Sequence, residues 1–443
     1  TAQLADSFRT EIPQGEYAKI EIKFQNPIRF AAPNAAGRPV LPKSEDSRAP
    51  VRLNAFFPMR PEDAERFGNP EKMPYHCNNK SRLRLLWTTT ATAGGIGSRF
   101  WPISRRTMPK QFLDMLGTGK SFIRHTYERF AKIVPPENFL VVTNGSYKLL
   151  VLEHIPEIDE DQILSEPVGR NTGPCIAYAA WRLRVAAPDA TMIVTPSDHL
   201  ILDEDEFRRA IVESAEFAER QRALMTIGIR PDRPATGYGY IQVDNQVRLE
   251  QKDVYKVKTF TEKPNLELAR SFVESGEFFW NSGIFIWKVD AIMENFERLL
   301  PDMHQMFASI APSYGTPQEQ QSIERIYPEC RNISIDFGIM EKAGDVYVRC
   351  SDFGWSGVRT WGSLYQHSAK DADGNVAPAE NMLYDTKGCI VKVPAGKLAV
   401  IEGLEDYIVV DSGDVLMICP KSGEQNIKKF IDDVKFKIGD RFI

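Results

Sequence analysis

The stretch richest in chemistry lies between positions 94 and 113. Gly94-Gly95-Ile96-Gly97-Ser98-Arg99-Phe100-Trp101-Pro102 leads to Pro109-Lys110-Gln111-Phe112-Leu113. Glycines let main-chain N–H groups reach a phosphate oxygen with no Cβ in the way. Arg99 and Lys110 add fixed positive charge suited to a triphosphate. Alone, such glycines make an ordinary turn, and the spacing is neither the G-x-G-x-x-G of dinucleotide sites nor the G-x-x-x-x-G-K-[ST] of P-loops. Further along, Glu166-Pro167-Val168-Gly169-Arg170-Asn171-Thr172-Gly173-Pro174 follows a strand-like run and opens a helix-like one. A helix N-terminus presents free N–H groups and the positive end of a dipole. Asp198, in Thr195-Pro196-Ser197-Asp198-His199, ends an apolar run. A carboxylate there suits Mg²⁺, which is held by one or two carboxylates plus substrate phosphates. An Asp after a strand is also a common helix cap.

Three later segments carry groups that suit a sugar. Gly237-Tyr238-Gly239-Tyr240-Ile241 offers close backbone approach and aromatic walls. Phe260-Thr261-Glu262-Lys263-Pro264 offers a carboxylate for hydroxyls and an ammonium for a phosphate. Trp280-Asn281-Ser282-Gly283-Ile284-Phe285-Ile286-Trp287 sets an amide beside a strand. Each alone reads as a hairpin turn, a surface ion pair and a core strand. Their joint order is what carries meaning.

In that order, the glycine loop with Arg99 and Pro109-Lys110-Gln111 resembles the signature of sugar-nucleotide pyrophosphorylases. Glu166-Pro167 with Arg170-Asn171-Thr172 resembles that of the mannose-1-phosphate guanylyltransferases among them. The resemblance runs from about Ala93 to Ile443. It implies an α/β fold: a Rossmann-like nucleotidyltransferase domain with a mixed, mostly parallel sheet, then a short C-terminal left-handed β-helix-like domain often used for homodimer contacts. It implies GTP and mannose 1-phosphate as substrates, GDP-mannose and pyrophosphate as products, and Mg²⁺ as cofactor. By resemblance, Arg99, Lys110 and Asp198 are catalytic, and Asp198 is the metal ligand. The nucleotide falls to Gly94, Gly95, Gly97, Ser98, Arg99, Lys110, Glu166, Arg170, Asn171 and Thr172. The sugar phosphate falls to Gly237, Tyr238, Gly239, Glu262, Lys263 and Asn281. His199 is expected to be a structural partner, and the segment 334–342 to support the site from below. A sugar phosphate is already an anion, so it attacks the α-phosphorus without a general base, and catalysis reduces to positioning and charge neutralisation. A different nucleotide and sugar pair (dTTP or ATP, glucose 1-phosphate) and a non-catalytic nucleotide-sugar-binding homologue remain open.

The elements that must position these residues read as alternating strands and helices over 83–366. Runs such as FLVVT at 139–143 and TMIVT at 191–195 suit strands buried on both faces, and ligands of such sheets bind outside the strands' carboxyl ends. Asp203 is expected to cap a helix over 204–221, with Glu206 completing a capping box. Residues 1–82 read as an irregular extension apart from a short alternation at 17–24. Residues 367–385 read as a linker, and 386–443 as short strands closing on a helix near 424–434. The 443 residues carry a formal net charge of -5 and 42% hydrophobic content, which suits a globular protein rather than a general nucleic-acid binder. No run is long and apolar enough for a membrane span. The six cysteines are scattered, without a C-x-x-C pair, which points to a reducing, cytoplasmic setting.

Two stretches depart from the family pattern. An apolar strand is expected before the glycine loop, but the sequence is Arg84-Leu85-Leu86-Trp87-Thr88-Thr89-Thr90-Ala91-Thr92. A central buried strand would leave Thr88, Thr90 and Thr92, or their neighbours, needing partners. In Trp355-Ser356-Gly357-Val358-Arg359-Thr360-Trp361, Gly357 stands where the resemblance implies a second magnesium-binding Asp, and Arg359 replaces a glycine. Losing a carboxylate and gaining a cation is expected to weaken Mg²⁺ binding and slow catalysis. Departures this local, with matching flanks, are what reading-frame slips in the source sequence or decay of a gene copy would produce.

Overall fold

The computed structural model describes residues 87–245 and 251–443, together with the backbone of four short strands earlier in the chain. The chain forms two units, Thr1–Cys77 and Asn78–Ile443. In the first, Tyr17–Lys23 (β1) pairs antiparallel with Arg52–Pro58 (β4), and Ala32–Pro33 (β2) with Pro39–Val40 (β3). The alternation at 17–24 is thus a strand; apart from these four strands, the expected irregular extension at 1–82 lies outside the described residues.

The second unit is organised by a nine-stranded sheet. Its strands are Trp87–Thr92 (β5), Phe139–Asn144 (β6), Ile163–Glu166 (β7), Thr191–Pro196 (β8), Leu224–Ile229 (β9), Tyr240–Asp244 (β10), Val254–Thr261 (β11), Phe278–Lys288 (β12) and Val346–Ser351 (β13). Across the sheet they run β10-β11-β13-β9-β12-β8-β5-β6-β7. Strands β5 to β8 pair in parallel, as do β9 and β13. Strand β12 lies antiparallel between β8 and β9, and β11 lies antiparallel between β10 and β13. Only these two strands run against the rest, so the sheet is mixed and mostly parallel, as expected. Strands β6 and β8 are buried on both faces, which is why they read as unbroken apolar runs.

Helices cover both faces. Phe122–Phe130 (α1), Lys148–His154 (α2) and Glu204–Gln221 (α4) pack around Phe130, Phe207 and Ile211; Thr172–Ala186 (α3), Val289–Leu299 (α6) and Pro301–Ser309 (α7) pack around Ile176, Ile292 and Phe296. Leu266–Ser275 (α5) and Glu319–Ile326 (α8) complete the layers. Asp203 does cap α4, accepting from the N–H groups of Asp205 and Glu206. The reciprocal half of the expected capping box is replaced, because the Glu206 carboxylate turns to Arg209 and Arg349.

The threonine-rich run forms the central strand β5, between β8 and β6. Thr92 reaches the Thr195 carbonyl at 3.5 Å. Thr89 and Thr90 are fully buried, and their hydroxyls have no hydrogen-bond partner among the described residues. Their β-branched shape suits a pleated strand, while each unpaired hydroxyl costs about 1–3 kcal/mol.

After β13 the chain forms Trp361–His367 (α9) and then short strands: Met382–Tyr384 (β14), Ile390–Lys392 (β15), Val400–Glu402 (β16), Tyr407–Asp411 (β17) and Leu416–Pro420 (β18). β14 with β16 and β15 with β17 pair in parallel, giving the stacked rungs of a β-helix-like domain, and β18 folds back antiparallel on β17. The closing helix Ile427–Ile438 (α10) begins later than 424, because Lys421–Asn426 is a 3₁₀ turn. Phe100, Trp101, Val358, Trp361, Ile390, Ile408 and Ile427 form one apolar cluster that joins this domain to the glycine loop. Trp101 Nε1 also donates to the Phe442 carbonyl at 2.7 Å. No helix among the described residues is long and apolar enough to cross a membrane.

Candidate active site

The parallel strands bring their carboxyl ends to one edge, and the motif residues follow them there. The glycine loop leaves β5, Glu166 ends β7, and Asp198 lies two residues past β8. Gly94, Gly95 and Ile96 are exposed at this edge. Gly97 sits at φ +71°, where a Cβ would meet Lys110 Cβ at 2.5 Å, so both its conformation and its neighbour require glycine. The loop is closed on itself: Lys110 N–H donates to the Ile96 carbonyl, Ser104 Oγ donates to the same oxygen, and Gln111 Nε2 donates to the Ala93 carbonyl.

Lys110 is the centre of the arrangement. Its side chain is almost wholly buried, and its ammonium donates to Asp198 Oδ2 at 2.7 Å and to the Val358 carbonyl. Burial opposes ionisation of Asp198, but the Lys110 charge and hydrogen bond, with further pull from His199 and Arg359, together outweigh it and hold the carboxyl well below the usual range. Its side chain remains 36% exposed, so solvent screens part of that pull. Burial drives His199 down to about 3, and the neutral ring accepts at Nδ1 from Trp355 Nε1 at 3.2 Å. The expected structural role of His199 agrees with that contact.

Glu166 lies on the other flank of the loop. Its Oε2 is 3.1 Å from where a Cβ on Gly94 would sit, and its Oε1 accepts from the Tyr327 hydroxyl. Burial raises its pKa against that hydrogen bond. Asn171 caps α3 by accepting from Thr172 N–H, and Thr172 Oγ1 accepts from Ile335 N–H at 2.9 Å. Arg170 turns away to the Pro328 carbonyl, and Arg99 is exposed on the 3₁₀ turn Ser98–Phe100.

The sugar-side motifs meet at the same edge. Gly239 O accepts from Asn281 N–H at 2.8 Å, and a Cβ at Gly239 would lie 2.6 Å from Glu262 Oε2. Asn281 Nδ2 donates to Asp336 Oδ1 at 2.7 Å, which fixes the amide from the segment 334–342. Burial raises the Asp336 pKa. Lys263 pairs with Glu262 at 2.6 Å, so the two charges offset each other. Gly283, two residues past Asn281, packs over Pro196 at the end of β8. Arg359 completes the link: its Nη1 donates to the Gly237 carbonyl at 2.8 Å, and its guanidinium lies 5.2 Å from the Tyr238 ring centre. A continuous set of contacts thus runs from Gly97 through Lys110 and Val358–Arg359 to the Gly237–Gly239 loop.

Comparison with known proteins shows the family and the fold. The nucleotidyl transferase family model matches residues 92–374. The chain belongs to the nucleotidyl transferase family. A second model, the mannoseP isomerase/GMP-like beta-helix domain, matches residues 379–434. The mannose-1-phosphate guanylyltransferase of Salmonella montevideo is 34% identical over 356 residues, covering 79% of this chain and 74% of that protein. That of Escherichia coli (strain K12) is 35% identical over 352 residues, covering 77% and 72%. The crystal structure of mannose-1-phosphate geranyltransferase from Thermus thermophilus superimposes with a TM-score of 0.70 at 29% identity, covering 79% of this chain and all of that one.

Two contacts of this nucleotidyl transferase were not visible in its sequence. Tyr327 follows α8 in an unremarked 3₁₀ turn, yet it holds the Glu166 carboxylate from 161 residues away. The Arg359 clasp spans 122 residues. Only the departure from the family pattern drew attention to position 359, and it gave no sign of the partner.

Proposed function

We propose that the chain transfers a guanylyl group from GTP to α-D-mannose 1-phosphate, releasing pyrophosphate and forming GDP-mannose. The observation that carries this reading is the buried Lys110 ammonium, held between Asp198 and the Val358 carbonyl beside the glycine loop. The loop's main-chain N–H groups and Lys110 are suited to the phosphates. Glu166 lies where a base-reading carboxylate is wanted, since a carboxylate accepts from adjacent N–H donors such as those of guanine. Gly237 to Gly239, Glu262 and Asn281 are suited to the mannose hydroxyls, and the sugar phosphate attacks as an anion. The chain's own contribution is alignment of the two phosphates in line and neutralisation of charge between them.

Magnesium fits this site in reduced form. Asp198 is a partly exposed carboxylate at the strand edge, but one of its oxygens holds Lys110 and Gly357 brings no second ligand. No group of three or more His, Cys, Asp or Glu suited to a metal occurs among the described residues. Asp198 with nucleotide phosphates is still a donor set magnesium accepts. Bound there, Mg²⁺ would add charge stabilisation to the phosphates; one ligand fewer means weaker binding and slower turnover. Buried, unpaired Cys175, Cys330, Cys350, Cys389 and Cys419 suit a reducing cytoplasm. We assign catalysis to residues 83–366 and homodimer contact to the β-helix-like domain, whose first rung strand, β14, falls within the 367–385 stretch expected as a linker.

The test is pyrophosphate release from GTP and mannose 1-phosphate, with dTTP, ATP and glucose 1-phosphate as competing pairs. Preference for the first pair, lost in Lys110→Met, is the expected result. GDP-mannose binding with no pyrophosphate release at high Mg²⁺ would overturn the catalytic reading in favour of a binding homologue.

A further inference from the structure

We propose that Arg359 is a phosphate ligand of this site, a built-in cation that lets diphosphates bind without a metal ion. The inference rests on the reading of the site given above and adds a residue and a property to it.

Charge balance is the starting point. The buried Lys110 ammonium is paired with Asp198, so these two groups together present little net charge to a diphosphate. Arg359 is exposed, and its field reaches Asp198. A guanidinium has five N–H donors in a planar fork that matches phosphate oxygens. One of them is given to the Gly237 carbonyl at 2.8 Å, and the plane is steadied over Tyr238. That anchoring fixes the guanidinium between the sugar loop and the Lys110–Asp198 pair before any ligand arrives, which lowers the ordering cost of contact. The backbone at Gly357 runs close beside it: a Cβ there would lie 3.5 Å from Arg359 Nε, in ordinary contact. The backbone N–H of Arg359 is itself held by Ser363 Oγ at the start of α9.

The experiment is titration calorimetry in EDTA with two probes, inorganic pyrophosphate and GDP-mannose, on the full chain and on Arg359→Gln and Arg359→Lys. Melting curves check that the variants fold. The wild type should bind both probes without metal. Arg359→Gln should weaken both by about tenfold to a hundredfold, the range for a hydrogen bond to a charged group. Arg359→Lys should keep part of the pyrophosphate affinity, because charge is retained and the fork is lost. Metal-free affinities that are the same in wild type and Arg359→Gln would overturn the proposal, as would wild-type binding only in Mg²⁺. Loss confined to GDP-mannose would also overturn it, reducing Arg359 to a clasp on the sugar loop. Failure of the wild type to bind GDP-mannose even in Mg²⁺ would instead overturn the guanylyltransferase reading, and the pyrophosphate arm would still judge Arg359.

Discussion

Replacing Gly97 by alanine tests how the glycine loop and Lys110 act together. Two penalties apply. A left-handed backbone costs an L-residue about 1–2 kcal/mol. The new Cβ would also sit 2.5 Å from Lys110 Cβ where ordinary contact begins at 3.4 Å, so one of the two must move by roughly 1 Å. Lys110 has little freedom to yield, since its ammonium is held at 2.7 Å from Asp198 and its backbone N–H is bonded to Ile96. A misplacement of about 1 Å at a catalytic group costs on the order of a hundredfold in rate. Gly97→Ala should therefore lower kcat/KM for pyrophosphate release by about a hundredfold, with a melting temperature only a few degrees lower. In a Lys110→Met background the same change should cost little further activity, because both act through the ammonium. Additive losses in the double variant would refute the coupling, and full activity in Gly97→Ala would refute the cradle itself.

Three other changes probe the rest of the site and its support. Gly357→Asp with Arg359→Gly should raise turnover at saturating Mg²⁺ by tenfold or more, since each ~1.4 kcal/mol is a decade and a metal contributes several; no gain in a GDP-mannose assay would refute the reading of position 357. Burial raises the Glu166 pKa, so its stabilising protonated form is complete below the unfolded pKa and lost as pH rises through the folded one. Glu166→Gln should then melt above wild type at pH 8 and level with it at pH 4, while losing GTP turnover; an unchanged gap across that range would count against it. Thr90→Val removes a buried unpaired hydroxyl and keeps the β-branched shape, so it should stabilise by about 1 kcal/mol, and a lower melting temperature would show that the hydroxyl has a partner.

What the sequence made legible was local. The runs at 139–143 and 191–195 are buried on both faces and so carry their own signal, and the polar residues after them were placed at the strand ends by that alone. The threonine run was harder to place, because its hydroxyls argue against burial; packing between β6 and β8 overrides that cost. The direction of β12 had no local sign. FFWNSGIFIWK reads as a core strand in either sense, and only its pairing with both β8 and β9 makes it antiparallel. The pairing of Lys110 with Asp198 joins positions 88 apart, and no spacing rule reaches that far. Arg170, at the N-terminus of α3, donates to the Pro328 carbonyl, 158 residues away, a contact that no local spacing announces.

The tether between Trp101 and Phe442 carries a consequence for how the protein is made. The indole that ends the glycine loop donates to a carbonyl 341 residues later, and the turn before it, Ser98–Phe100, lies against α10. A nascent chain would have its loop, its lysine and all nine sheet strands outside the ribosome while that wall was still unsynthesised. Bracing of the loop would then follow only once residues 427–442 had emerged, well behind the loop they support.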